Sequence, residues 1–319
     1  MIVETKPGYV EYLYDFYLPD NSLIVLDGAT ISGVNIPGYI STVIFEDASN
    51  PVDVEQHIAT INLKNFSVLS GLYFYYKIKP VPPNVQFFPF WAMWMSDPRR
   101  GMFEGDFCFS NQPKKYLVSC LNGTVWNHRK FVYLELKNKP YFNNMVFSFG
   151  NRLDPHHITL EGEMALTITE QEEFKKLPNP VSFIDDDTTI GIDLNILHPA
   201  YQHTYINLVT ETMTRESTPM LSEKTFKPII AGQLFVLISS PNAIQFLREI
   251  GIDTFDDIID HSYDKIVDTR QRVLAAIAEV DRLVTLDLEM VFDQIKPRLE
   301  RNSIYFKSEQ FRQQFKLTF

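Results

Sequence analysis

Cysteine is nearly absent. Cys108 and Cys120 are the two in 319 residues, and they form neither a metal-spaced pair nor a disulfide framework. A reducing compartment is the expected home. Long apolar runs are missing as well: nowhere do about 18 apolar residues follow one another, so no membrane-spanning helix is expected. The opening stretch, MIVETKPGYVEYLYDFYLPD, has no basic n-region and no unbroken apolar core of the secretory kind. These features together predict a soluble cytoplasmic protein. Positive charge is in deficit, with 29 Lys and Arg against 40 Asp and Glu and a formal net charge of −11. A protein that coats nucleic acid non-specifically needs a basic footprint, so that class is disfavoured, although a local basic groove remains compatible. Internal repeats and low-complexity segments are not visible.

What is present is the composition of a folded chain, 45% hydrophobic and 22% charged. The length suits two domains of roughly 100–200 residues each. The first, 1–112, reads as strand-rich α/β. Ser22 to Asp27 (SLIVLD) and Thr42 to Asp47 (TVIFED) are short β-branched runs closing on an acid, with further strands expected in Ile61 to Leu69 and Leu72 to Ile78. Pro80, Pro82, Pro83 and Pro89 interrupt regular structure, and Phe87 to Trp94 (FFPFWAMW) is an aromatic cluster in a loop or short helix. Such a cluster is either a core plug or a platform for a ring. Arg99 to Pro113 reads as a linker.

The second domain, 113–285, opens with the strand Lys115 to Leu121, an Asn-Gly turn at Asn122 and Gly123, and a helix over Asn127 to Leu136. Met145 to Phe149 is the next strand, and a helix is expected within Gly162 to Pro180. Asp185 to Asp187 invites a hard-cation reading, against the commoner solvated loop or cap. Ala243 to Gly251 reads as a short helix with a glycine stop. From Tyr263 an amphipathic pattern runs towards Leu299, with a break near Pro297 and a helical segment over 286–319.

The most informative stretch is Tyr205 to Pro241, YINLVTETMTRESTPMLSEKTFKPIIAGQLFVLISSP. It reads as a buried strand ending in Glu211, a polar loop, a helix opening with Ser222, Glu223 and Lys224, a stop at Gly232, and a second buried strand. In open α/β sheets ligands sit beyond the carboxyl ends of the strands, and a helix N-terminus there offers N–H groups to an anion. Three chemistries fit. A strand-end acid such as Glu211 offers two oxygens to a ribose diol. Lys224 in the first helical turn suits a diphosphate. Arg129 can complete the clamp with a charge that does not titrate. Ser222 as N-cap and Glu223 in the first turn are equally what a helix start requires on its own.

The ordered set of an acid at Glu211, Ser-Glu-Lys at 222 to 224, and then helix, glycine and strand resembles the donor-binding motif of α-1,3/4-fucosyltransferases and related bacterial and phage glycosyltransferases. There the motif reads acid-Asn, a short loop, and Thr-Glu-Lys; this chain has Thr212 and Ser222 in place of Asn and Thr. Ser119, Asn122 and Arg129 are similar to that family's strand-Asn-loop-Arg segment, and the likeness covers about residues 114 to 270. The resemblance implies a GT-B fold, two Rossmann-like domains facing across a cleft. The second would hold a nucleoside-diphosphate sugar, as substrate and not as a tightly bound cofactor, through Asn122, Arg129, Glu211, Ser222, Glu223 and Lys224. It further implies an inverting, metal-independent transfer in which a carboxylate of the first domain is the base. Asp27 and Asp47 are the candidates, with Glu46 behind them.

The acceptor stays open between a surface glycan and a hydroxymethylated base in phage DNA. The second would draw on Arg99, Arg100, Lys114, Lys115, Arg129 and Lys130 for a groove and on the aromatic cluster for a flipped base. The expected setting is the cytoplasm of a bacterium or of a phage-infected host. A non-catalytic sugar-nucleotide-binding protein is the alternative.

Overall fold

The computed structural model describes residues 22–25, 42–45, 67–70, 85–87, 90–96, 114–123, 125–149, 164–176, 181–182, 199–212, 214 and 221–315. Asp27, Glu46, Asp47, the stretch expected to link the domains, Leu72 to Ile78, and Asp185 to Asp187 lie outside the described residues. The chain is of α/β class and divides into two compact units, 1–94 with 309–319, and 95–308.

The first unit carries a four-stranded sheet of β1 (Ser22–Val25), β2 (Thr42–Phe45), β3 (Ser67–Ser70) and β4 (Val85–Phe87), parallel throughout and ordered β1-β2-β3-β4. The β-branched runs SLIV and TVIF thus pair directly, Ser22 opposite Thr42 and Val25 opposite Phe45. The aromatic stretch near Trp94 is helical, α1 (Phe90–Ser96), with Ala92, Met93 and Met95 buried.

The second unit is built on five strands in the order β7-β6-β5-β8-β9. These are β5 (Tyr116–Asn122), β6 (Met145–Phe149), β7 (Val181–Ser182), β8 (Thr204–Thr210) and β9 (Leu234–Ile238), all parallel except the edge strand β7, which runs antiparallel to β6. Every residue of β6, β8 and β9 is buried, as expected of strands covered on both faces.

The helices are α2 (Asn127–Leu136), α3 (Ile168–Lys175), α4 (Pro199–Gln202), α5 (Glu223–Ile230), α6 (Ala243–Glu249), α7 (Thr269–Leu283) and α8 (Leu288–Phe306). From the central pair, β5 leads through α2 to β6 on one side and β8 leads through α5 to β9 on the other. Right-handed crossovers in opposite directions place α2 and α5 on opposite faces of the sheet. Accordingly α7 packs on α2 and α8 packs on α5. One core runs through both layers, including Val118, Phe131, Phe147, Ile206, Leu208, Val236, Val273, Ile277 and Leu299.

Local chemistry explains the helix starts. Thr167 and Glu170 form a reciprocal capping box for α3, Asp268 caps α7 through Gln271 N–H, and Asp287 caps α8 through Met290 N–H. Gly232 ends α5 and Gly251 follows α6, both at positive φ.

The interruption expected near Pro297 is not there. The helices separate at Val284–Asp287, and α8 runs on through Pro297. Buried Ile295, Leu299 and Asn302 hold that helix to the rest of the unit and outweigh the N–H that proline lacks. Asn302 fastens it further, accepting from Asp253 N–H at 2.9 Å and donating to the Asp253 carbonyl at 2.7 Å. Among the described residues no helix is long and apolar enough to cross a membrane.

Candidate functional site

The sheet reverses its direction of winding between β5 and β8, so a crevice opens beyond their carboxyl ends, where open α/β sheets take ligands. Asn122 ends β5, Thr210 ends β8, and the first turns of α2 and α5 arrive at the same edge. The residues read from the sequence as a donor site, Asn122, Arg129, Glu211, Ser222, Glu223 and Lys224, are all gathered there through their bonds to the end of β8 or to one another.

Most of this cluster is buried, so its bonds decide what each group is free to do. The Asn122 Oδ1 accepts from Thr210 Oγ1 at 2.5 Å. Arg129, at 1% exposure, donates from Nη2 to the Thr210 carbonyl at 2.9 Å and to Thr212 Oγ1 at 3.4 Å. Beside it His128 meets the Glu211 carbonyl at 2.8 Å through Nε2. Burial above all, and the charge of Arg129 next, push that imidazole down to about 3. The ring is therefore neutral, and its Nε2 carries the proton that the carbonyl accepts.

Glu211 is 0% exposed. Its Oε1 accepts from Ser222 N–H at 2.9 Å and from Thr225 Oγ1 at 2.5 Å, and its Oε2 accepts from Ser222 Oγ at 2.6 Å. The backbone N–H of Glu211 continues the β8–β9 ladder to Ile238 at 2.9 Å. The carboxylate expected to meet a ribose diol is thus engaged with the start of α5.

Ser222 is the N-cap of α5, accepting from Lys224 N–H at 3.4 Å. The Lys224 ammonium folds back over this cap, 3.2 Å from Ser222 Oγ and 2.7 Å from Glu223 Oε1. Burial raises the Glu223 carboxyl, but Lys224 and Lys227 outweigh it and hold the group below the usual carboxylate range. The Lys224 side chain keeps 24% of its exposure against 9% for Glu223, which leaves the lysine the more accessible of the pair. On its inner side α5 is anchored by Phe226, stacked on Phe306 with ring centroids 5.0 Å apart.

Sequence reasoning missed His128, Thr210 and Thr225. A signal existed for Thr225, which stands three residues after the N-cap and so returns to the capped side of the helix. Arg272 was also missed. Fully buried, it donates to the carbonyls of Thr214 at 2.5 Å, Ser239 at 2.8 Å, Val267 at 2.8 Å and Ile266, and to Thr269 Oγ1 at 3.2 Å. It ties the end of β9 to the start of α7.

A polar cavity of about 760 Å³ lies beside α6, lined among others by Asn242, Arg248, Asp256, His261, Asp264 and Arg282. Its arginines are paired, Arg248 with Asp256 at 2.8 Å and Arg282 with Glu279 at 2.5 Å. Among the described residues no group of three or more His, Cys, Asp or Glu side chains could hold a metal ion.

No protein-family model matches the chain, and no curated protein sequence matches it either.

Proposed function

We propose that this chain is a nucleotide-sugar-dependent glycosyltransferase of GT-B type, moving a sugar from a nucleoside-diphosphate sugar to an acceptor hydroxyl. The observation that carries the reading is the position of Lys224 at the N-terminus of α5, beside the β5/β8 reversal of a parallel sheet. A wholly parallel sheet in the first unit and a sheet parallel but for its edge strand in the second also support it.

In this reading the acceptor oxygen forms a bond to the anomeric carbon as the anomeric carbon–phosphate oxygen bond breaks. The acceptor proton passes to a carboxylate, for which Asp27 and Asp47 are the candidates. The charge released on the leaving diphosphate is met by Lys224, which exchanges Glu223 for phosphate, in the field of the positive end of the α5 dipole. Arg129 and Asn122 support the site from the end of β8 and β5, the guanidinium as a fixed positive charge.

The test is a thermal-shift panel of nucleoside diphosphates and sugar nucleotides on the full chain, with mass spectrometry of the products. One nucleoside diphosphate and its sugar should stabilise the chain well above the others, and Lys224→Ala should remove that stabilisation. Binding without transfer or hydrolysis would make the chain a sugar-nucleotide-binding protein instead. No preference among nucleotides would end the reading.

A further inference from the structure

We propose that Glu211 is a positioning residue: its carboxylate fixes the first turn of α5 and the ammonium of Lys224, and it does not itself receive the ribose. The inference rests on the nucleotide-site reading above and refines it. All four polar atoms of Glu211 are engaged inside the protein. The N–H goes to Ile238, the carbonyl accepts from His128, and the two carboxylate oxygens accept three bonds from Ser222 and Thr225. A ribose diol needs two adjacent acceptor oxygens facing outward. Glu211 could supply them only by releasing the hydroxyls that hold α5, and it is fully buried.

The bond pattern also shows what the carboxylate does. Because Ser222 Oγ gives its proton to Glu211 at 2.6 Å, its lone pairs are left for Lys224 N–H and Lys224 Nζ, at 3.4 and 3.2 Å. Glu211 therefore sets the orientation of the cap, and the cap holds the ammonium together with Glu223 Oε1, leaving Ser222 Oγ as its remaining anchor when Glu223 is exchanged for phosphate. The helix needs this support. It is eight residues long and contains Pro228, which has no N–H to return to the carbonyl of Lys224, so its first turn is weakly held from within.

Equilibrium binding of two kinds of probe to the full chain separates positioning from ribose contact. The probes are GDP and UDP, which carry a ribose, and inorganic pyrophosphate, which does not. Glu211→Gln should lower the affinity for nucleotide and for pyrophosphate by the same factor, about tenfold, the loss of one charge-assisted hydrogen bond. Thr225→Val, which leaves the carboxylate in place, should lower both equally by a smaller factor, about threefold.

Loss of nucleotide affinity with pyrophosphate unchanged would make Glu211 a ribose ligand and overturn the proposal. A lower melting temperature with both affinities intact would overturn it too, since that is all a merely structural role predicts. If Glu211→Gln does not fold, Thr225→Val decides alone, unchanged affinities being the refuting result. Wild-type protein that binds none of the probes is a different outcome, because it removes the nucleotide site itself.

Discussion

Arg298 and Asp253 meet end to end through two parallel hydrogen bonds, Nε to Oδ2 at 2.8 Å and Nη2 to Oδ1 at 2.9 Å. The same guanidinium reaches Asp257 by another pair, 2.8 and 2.9 Å, and lies over the ring of Phe255 at 4.9 Å. Phe255 has φ 59, a left-handed conformation unusual for an aromatic residue, so the loop after α6 is held in shape from α8. Arg298→Ala should destabilise the second unit by about 2 kcal/mol in urea unfolding, a figure already reduced for partial exposure. Arg298→Lys should restore little of it, since an ammonium cannot make two parallel pairs.

Acid should weaken the site through His128. Its folded pKa is lowered to about 3 from the ordinary histidine value of 6.5, so the unfolded chain binds the proton more tightly. The stability it contributes is complete above pH 6.5 and is lost as pH falls towards 3. Wild type should lose about 2 kcal/mol more than His128→Gln between pH 7.5 and pH 5, measured as denaturant midpoints across that range. Parallel curves would refute the assignment.

Asp264 should act with the opposite sign. Its carboxylate accepts from Ile244 N–H at 3.2 Å at the start of α6, where Asn242 adopts a left-handed conformation and its side chain does not cap. Burial raises its pKa to about 6, against the lowering effects of the Ile244 and Ala243 N–H groups and of Arg248 and Arg272. The fold therefore binds this proton more tightly than the unfolded chain, and the resulting stability is present below pH 3.8 and gone above about pH 6. Asp264→Asn, which keeps an acceptor without the charge, should gain about 2 kcal/mol at pH 7.5 and almost nothing at pH 4. An equal gain at both pH values would contradict this account.

Gly251 has φ +88, and a Cβ there would lie 2.6 Å from Tyr305 Oη and 2.9 Å from its ring. Gly251→Ala should cost roughly 2 kcal/mol through backbone strain and contact together. Adding Tyr305→Ala relieves only the contact, so the double variant should be less destabilised than the sum of the singles; strict additivity in a thermal-melt cycle would count against the clash.

The strands β6, β8 and β9 and the helix α2 were legible because β-branched runs, 3.6-residue periodicity and glycine stops are local signals. The set of strand-end residues was legible too, for the same reason that Ser222 reads as a cap. The direction in which each side chain turns was not. Glu211 looks, by spacing, like an acid facing a ligand, yet Ser222 Oγ and Thr225 Oγ1 turn towards it and close it off. Likewise Arg298 and Asp253 stand 45 positions apart and carry no mutual mark in the sequence. Pro297 carries a local signal to break a helix, whereas the tertiary contacts of α8 carry the helix through it.

The bonds between Glu211 and Ser222 also have an evolutionary side. They join the two ends of the stretch between β8 and α5, which spans positions 212 to 221. Once both ends are fastened to each other, lengthening the intervening chain adds only a slowly growing closure entropy, about 0.6 kcal/mol per doubling, and does not shift the helix start. Thr212 and Thr214 are themselves tied to Arg129 and Arg272, so the positions between Thr214 and Leu221 are where insertions could accumulate, and where new sequence could be grafted, while the geometry at the head of α5 is kept.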